Sequence, residues 1–326
     1  EPEDRRGEVV YPSGLSTSLP ADVQDALVRT IPGLRRARIV RYGYAVEYDA
    51  VQPRVLAPTL EVDGIRGLYL AGQILGTSGY EEAAALGLLA GANAALAARG
   101  AEPIVLGRDR AYAGVMIDDL TTRGVDEPYR MLTSRAEYRL LLREDNADER
   151  LLDEGVRTGL VGEERAAQVR ALRDAVKEAS ARLAATVLTP SAATCRALED
   201  AGLPAVGKPT ALVDFLRRAE VRAADLAPLA PWLGELPGRV LARLEVDVKY
   251  EKYVERQEAE TLALRGAELF PLPRELDFGR IPGLRAEIVE KLEAARPATL
   301  GQAGRIPGVT PAAVQILHVF CRKGPR

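Results

Sequence analysis

A glycine-rich stretch between residues 71 and 85 has the clearest capacity for chemistry in this sequence. Its glycines stand at positions 72, 76 and 79, between an apolar run and a long alanine- and leucine-rich segment. Glycines allow positive φ angles and close approach to a ligand, and the start of a following helix directs N–H groups at it. The spacing is G-x-x-x-G-x-x-G rather than the dinucleotide fingerprint G-x-G-x-x-G. A strand-to-helix turn without a ligand would have the same pattern.

A flavin is one group that such a loop could hold. Its pyrophosphate, ribityl hydroxyls and electron-rich ring edge match backbone N–H groups and polar side chains. Gln73 can donate to or accept from a ribityl hydroxyl. The candidate cofactor-binding residues are Gly72, Gln73, Gly76, Thr77, Gly79, Tyr80 and Glu81.

Arginines form a second candidate site between residues 130 and 143. Three of them recur every four residues, which would align them on one face if the segment is helical. Tyr129 and Tyr138 lie among them, and arginines with aromatic residues suit phosphate contact and base stacking in RNA. A solvated face paired with nearby acidic residues is the alternative. The candidate RNA-binding residues are Arg130, Arg135, Arg139 and Arg143.

The elements that would position the glycine loop mix strands and a helix. Residues 38–40 and 44–48, separated by Gly43, are predicted to be strands, and 67–71 is predicted to be a buried sheet strand. A helix is predicted over 81–99, ended by Gly100. These elements do not complete a doubly wound domain.

Beyond about residue 114 the pattern is almost wholly helical. One helix is predicted over 163–185, with Val169, Leu172, Val176 and Leu183 on its core face. Thr189-Pro190 is predicted to be the N-cap and first position of another. A long helix is predicted over 239–264, stopping near Gly266.

A small helical module is predicted over 275–323. Within it, residues 280–284 and 305–309 repeat an Arg-Ile-Pro-Gly pattern, and Thr310-Pro311 is a further helix start. The Gly turns either present N–H groups to phosphates or simply join packed helices. Four apolar positions are assigned to the core rather than to a docking face: Ile306, Val309, Val314 and Leu317.

Composition narrows the function classes. The net charge is −3, so nucleic-acid binding requires a local basic patch. A single histidine, His318, excludes a multi-histidine metal site, and no metal is expected. Cys195 and Cys321 lie far apart and favour a reducing cytoplasm. No apolar run is long enough for a membrane span, and the polar start without Met suggests a fragment without a signal peptide.

Several segments, in order along nearly the whole chain, resemble the MnmG family, also called glucose-inhibited division protein A. They include residues 11–20, which begin Tyr-Pro-Ser-Gly-Leu, residues 43–49 and the stretch from Gly67 to Ala94. The others are residues 127–139, which begin Glu-Pro-Tyr-Arg-Met, and residues 143–148, 248–251, 301–306 and 308–312.

The resemblance implies a fold and a function. The fold is the α/β remainder of a flavin-binding, Rossmann-like domain at 1–110, followed by an all-α region: a helical tRNA-binding part at 111–270 and a small module at 271–326. The implied activity adds a carboxymethylaminomethyl or aminomethyl group to carbon 5 of the tRNA wobble uridine. FAD and NADH carry the redox chemistry. The GTPase MnmE docks on the last module, and the flavin domains pair as a homodimer.

The family's N-terminal G-x-G-x-x-G motif and its two redox-active cysteines are absent here. We therefore expect this chain alone to be inactive and assign no catalytic residue. Two alternatives remain open. One is a non-catalytic helical adaptor, and the other is a nucleic-acid-binding fragment of helix-hairpin-helix type built on the two Ile-Pro-Gly turns.

Overall fold

The computed structural model describes residues 1–3, 5–268, 270–273 and 275–323. The chain forms two compact units, residues 1–50 and 51–326. Within the described residues, no helix is long and apolar enough to cross a membrane. Nor is any group of histidine, cysteine, aspartate and glutamate side chains arranged there to hold a metal ion.

In the described part of the first unit, residues 21–30 form the helix α1 (Ala21–Thr30). The predicted strands at 38–40 and 44–48 are wrong, because these residues find no partner strand among the described residues. A side chain holds this backbone instead. The amide of Gln24 accepts from the Gly43 N–H at 2.8 Å and donates to the Gly43 carbonyl at 2.9 Å.

The described part of the second unit is built from helices and one two-stranded ladder. The helices of its first half are α2 (Tyr80–Ala98), α3 (Tyr112–Arg123), α4 (Ala147–Arg150), α5 (Leu152–Arg157) and α6 (Glu163–Ala185). Those of its second half are α7 (Ala192–Asp200), α8 (Leu212–Leu216), α9 (Gly238–Glu268), α10 (Ala286–Ala295), α11 (Leu300–Arg305) and α12 (Pro311–Lys323). Strands β1 (Val187–Leu188) and β2 (Thr210–Ala211) pair antiparallel.

Helix α2 and the segment before it form the first core. The helix matches its prediction, and Gly100 follows it with a φ of 65°. The predicted sheet strand at 67–71 is wrong, since this segment makes only an isolated bridge between Tyr69 and Glu61. Its neighbours pack on α2 and α3 through buried leucines and methionine, including Leu60, Leu75, Leu86, Met116 and Leu120.

The middle helices surround a second core, which includes Leu183, Leu198, Leu212, Phe215 and Leu244. Helix α6 matches its predicted bounds; Val169, Val176 and Leu183 are buried, while Leu172 is only half-buried. The predicted start of α7 at Thr189-Pro190 is wrong by two residues. Ser191 is the N-cap, because its side chain accepts from the Thr194 N–H.

The last helices form a third core. The two Gly turns share one geometry, with φ of 92° at Gly283 and 91° at Gly308, and Thr310 caps α12 as predicted. The core assignment of the apolar positions is confirmed: three are buried and the fourth packs beside them, namely Ile306, Val309, Leu317 and Val314. The long helix α9 runs past Gly266 to Glu268.

Candidate functional site

The glycine loop is a short 3-10 turn followed by the start of α2. Gly72 begins the turn Gly72–Leu75 and Gly76 follows it, and both glycines have a φ of 81°. A Cβ at Gly76 would also lie 3.0 Å from the Val125 side chain. The two glycines therefore adopt a left-handed backbone conformation that is unfavourable for residues with a Cβ.

Backbone hydrogen bonds fix this loop to the rest of the unit. The Gly76 carbonyl accepts from the Tyr129 N–H at 2.8 Å, and the Ile74 carbonyl accepts from the Val51 N–H at 2.7 Å. The loop therefore rests on two segments distant in sequence. One of them leads directly into the arginine-bearing residues 130–143.

Glu82, which was not among the candidate residues, links the start of α2 to residues 130 and 131. Its side chain is 6% exposed, and Oε1 accepts from the Met131 N–H at 3.0 Å and from Arg130 Nε at 3.1 Å. A Cβ at Gly79 would collide with Oε2, which explains the third glycine. The bond from Met131 is the largest cause of a lowered pKa at Glu82, so the carboxylate is ionised.

Two side chains of the loop, those of Gln73 and Tyr80, are open to a ligand, and a third, that of Thr77, is unpaired among the described residues but enclosed. The Gln73 amide is half-buried and makes no hydrogen bond to a described residue, and the Tyr80 side chain is 90% exposed. Thr77 is fully enclosed, and its hydroxyl lacks a partner among the described residues. Such unmet hydrogen-bonding capacity is rare in native interiors.

Charge decides which part of a flavin suits these residues. Glu81 and Glu82 both lie in the first turn of α2, where their carboxylates already complement the helix dipole. They disfavour a second anion, so the helix start suits a pyrophosphate poorly. The Gln73 amide and the exposed Tyr80 ring fit neutral hydroxyls and a ring edge instead.

The four candidate RNA-binding arginines lie in an irregular segment. The helix that would align three of them on one face is absent, since residues 136–143 are not helical and 3-10 turns, Thr133–Arg135 and Glu144–Asn146, lie on either side. Side chains bond to backbone carbonyls here, as Arg135 does to Arg130 and Arg143 to Leu140.

Each arginine has a different environment. Arg130 binds Glu82, and the Arg135 guanidinium lies 4.6 Å from the centre of the Tyr129 ring. Arg143 is engaged by Asp145 at 2.9 Å and Asp247 at 2.7 Å. Arg139 is exposed and is the one of the four without a hydrogen bond or ion pair to a described residue.

A buried charge network beside the loop was also missed from the sequence. Arg108 is 8% exposed, and its guanidinium meets Asp119 at 2.8 Å, Asp118 at 3.1 Å and Glu137 at 2.8 Å. Burial disfavours its charge, but the bond to Glu137 and the neighbouring carboxylates outweigh this and raise the pKa of Arg108. The Tyr129 hydroxyl donates to Asp119 at 3.0 Å.

The same network reaches the last helices. Arg305 on α11 binds Asp118 through two hydrogen bonds, at 2.8 and 2.9 Å, and Gln302 donates to Asp118 at 3.4 Å. The sequence shows several charged residues between positions 108 and 119, but the spacing of apolar residues does not predict which of these charges pair. The network ties the third core to the helix that supports the glycine loop.

Comparison with known families now defines the class of protein. The family described as glucose inhibited division protein A matches residues 1–102. The tRNA modifying enzyme MnmG/GidA C-terminal helical domain matches residues 163–258, and the C-terminal helical bundle of the same enzymes matches 260–326. The chain belongs to the glucose inhibited division protein A (MnmG) family and has its fold with helical C-terminal domains.

Individual relatives agree with this assignment. The tRNA uridine 5-carboxymethylaminomethyl modification enzyme MnmG of Syntrophotalea carbinolica is 51% identical over 99% of this chain, and that of Geobacillus kaustophilus is 46% identical. The crystal structure of Aquifex aeolicus GidA (form II) superposes with a TM-score of 0.79 at 43% identity, covering 95% of this chain and 49% of that one. The chain spans about half the length of these relatives, 52% of the first.

Proposed function

We propose that this chain serves flavin-dependent modification of tRNA, the addition of a carboxymethylaminomethyl or aminomethyl group at carbon 5 of the wobble uridine. The observation that carries this proposal is the identity of about half of all residues with enzymes named for that modification. The glycine loop supports it, because its unmet hydrogen-bonding groups suit a flavin. Residues 1–110 are then the remainder of a Rossmann-like flavin domain.

The loop residues have distinct tasks in this proposal. Gln73 would bind a ribityl hydroxyl, and the backbone of the Gly72–Gly76 turn would accept the close approach of the cofactor. Tyr80 would cover exposed flavin surface. Glu82 has its ionised carboxylate turned to Met131 and Arg130, so it positions the loop and is a poor proton donor. The bound FAD would supply redox chemistry, with NADH as reductant.

The remaining expectations follow from the same family. The protein would act in the cytoplasm as a homodimer, and the GTPase MnmE would dock on the helices after residue 271. The core positions of α11 and α12 are occupied by packing within the module. Docking must therefore use outward residues, of which Val319 is 52% exposed.

The proposal is tested with a chimera. The matching half of the Syntrophotalea carbinolica enzyme is replaced by this chain, and the chimera is expressed in a bacterial strain that lacks its own MnmG. Nucleoside mass spectrometry of total tRNA then measures the wobble modification. We expect the modification to return, whereas this chain expressed alone should give none.

Two controls keep the result interpretable. The unaltered Syntrophotalea carbinolica enzyme reports full complementation, and purified chimera must be monodisperse with cooperative unfolding. A folded chimera that binds tRNA and MnmE but leaves the wobble uridine unmodified would contradict the proposed function. It would favour the adaptor alternative.

A further inference from the structure

Two exposed tyrosines on α9 form a surface that the proposed function does not yet use. Tyr250 is 42% exposed and Tyr253 is 63% exposed, and their ring centres lie 6.4 Å apart with a tilt of 55°. Large aromatic side chains in this degree of exposure leave much apolar ring surface in water. The pair therefore has ring surface free for a partner.

The position of this pair on α9 connects it to an arginine. Tyr250, Tyr253 and Gln257 follow the i, i+3, i+7 spacing and so share one helical face. The Gln257 amide accepts from the Leu141 N–H at 3.1 Å and donates to the Glu137 carbonyl at 3.3 Å. These two bonds hold both ends of the turn that presents Arg139.

Charge on this surface selects the kind of partner. Arg139 is exposed and makes no ion pair to any described residue, so its guanidinium is available to an anion. Gln257 lies only about 6 Å along the helix axis from Tyr253. A pair of aromatic rings with a nearby unpaired arginine suits a polymer that offers flat bases and phosphates together.

We propose that Tyr250 and Tyr253 form a stacking platform for unpaired bases of the tRNA, with Arg139 contacting an adjacent phosphate. The inference rests on the proposed function, because that function supplies an RNA with an unpaired anticodon loop. Arg143, by contrast, donates hydrogen bonds to Asp145, Asp247 and the Leu140 carbonyl, and these bonds stabilise the fold of this region.

The test measures RNA binding by this chain at several salt concentrations with fluorescently labelled RNAs. One RNA is an anticodon stem-loop with its unpaired loop, and the other is a fully paired duplex of the same length. Stacking is worth about 1–3 kcal/mol per base, so Tyr253→Ala should weaken stem-loop binding by about 5- to 150-fold. Tyr250→Ala should act in the same direction.

Matched variants separate stacking from charge and from unfolding. Tyr250→Phe and Tyr253→Phe keep the rings and should bind like the unaltered chain. The alanine variants should leave the slope of affinity against salt unchanged, whereas Arg139→Gln should reduce that slope by about 1. Circular dichroism and urea unfolding confirm that each variant folds.

The outcomes distinguish this inference from the proposed function. Stem-loop binding that is unchanged in both alanine variants overturns the platform and leaves the function standing, as does an equal loss on the duplex. Alanine variants that lose MnmE binding instead would assign the tyrosines to a protein interface. A chain that binds no RNA at any salt concentration also overturns the platform, whereas the proposed function is contradicted only by the chimera that leaves the wobble uridine unmodified.

Discussion

The Arg108 network and the glycine loop lie side by side but satisfy their polar groups differently. Arg108 is almost fully buried, yet its guanidinium donates to three carboxylates and two backbone carbonyls. The loop, a few residues away through Tyr129, leaves the Thr77 hydroxyl and Glu82 Oε2 without partners among the described residues. The buried guanidinium of the network is fully paired, whereas the loop contains buried polar atoms without a partner among the described residues.

This difference indicates different roles. A buried network with every member paired fixes a unique packing arrangement. When one charge is removed, the remaining buried charges lose the partner that compensated the cost of their desolvation. Buried groups left unpaired lower stability and are rare in native interiors. The comparison indicates scaffolding by the network, and it agrees with the ligand contact that we propose for the loop.

The largest expected effect comes from breaking the network. Arg108→Met leaves Asp118, Asp119 and Glu137 without their shared cation, and we expect it to lower the free energy of unfolding by about 3–5 kcal/mol. Urea unfolding followed by circular dichroism measures this. Arg170→Met is the matched control, because its partner Glu163 lies on the exposed side of α6, and its cost should stay below about 1 kcal/mol. Equal costs would contradict the assignment.

Glu82 should contribute stability that depends on pH. Its pKa is lowered from 4.5 in the folded chain, so its contribution is fully present above that value and is lost as the pH falls through the lower, folded pKa. Glu82→Gln should cost about 1–3 kcal/mol at neutral pH. Unfolding measured across acid pH should show the two proteins converging below pH 4.5. A constant difference would show that the charge is irrelevant.

Gly76 should tolerate substitution worse than another loop or helix glycine. Gly76→Ala forces an L-residue to a φ of 81° and crowds Val125, with an expected cost of about 1–2 kcal/mol. Gly87→Ala is the control, since Gly87 lies on the exposed face of α2 with open space at its Cβ. That substitution should stabilise by about 0.5–1 kcal/mol. Thermal denaturation of both variants and of the unaltered chain measures the two changes in stability.

The smallest effect should have the opposite sign. Thr77→Val removes a buried hydroxyl that has no partner, and we expect unfolding to become up to about 1 kcal/mol less favourable. Thr121→Val is the control, because the Thr121 hydroxyl donates to the Ile117 carbonyl at 2.8 Å and its loss should destabilise. If both variants lose stability alike, the Thr77 hydroxyl has a hydrogen-bond partner after all, and the contrast between the loop and the network does not hold.

The sequence predicted the helices well and the connections poorly. Helix α2 was predictable from its alanine- and leucine-rich composition and the glycine that follows it, and α6 from its apolar spacing. The strands at 38–48 were wrong because ladder formation depends on a partner strand, which local pattern does not reveal. At the site, the glycine spacing pointed to the loop. Glu82 and Arg108 were missed because their partners lie far away in sequence.

The central claim, that the glycine loop contacts a flavin, is tested most directly by the affinity of the chimera for FAD. Flavin fluorescence titration compares the chimera with its Gln73→Leu variant, and Gly87→Ala serves as the control. Loss of one hydrogen bond should weaken FAD binding by about 5-fold or more in Gln73→Leu and leave Gly87→Ala unchanged. Equal affinity in all three proteins would contradict the claim, as would a folded chimera that binds no FAD.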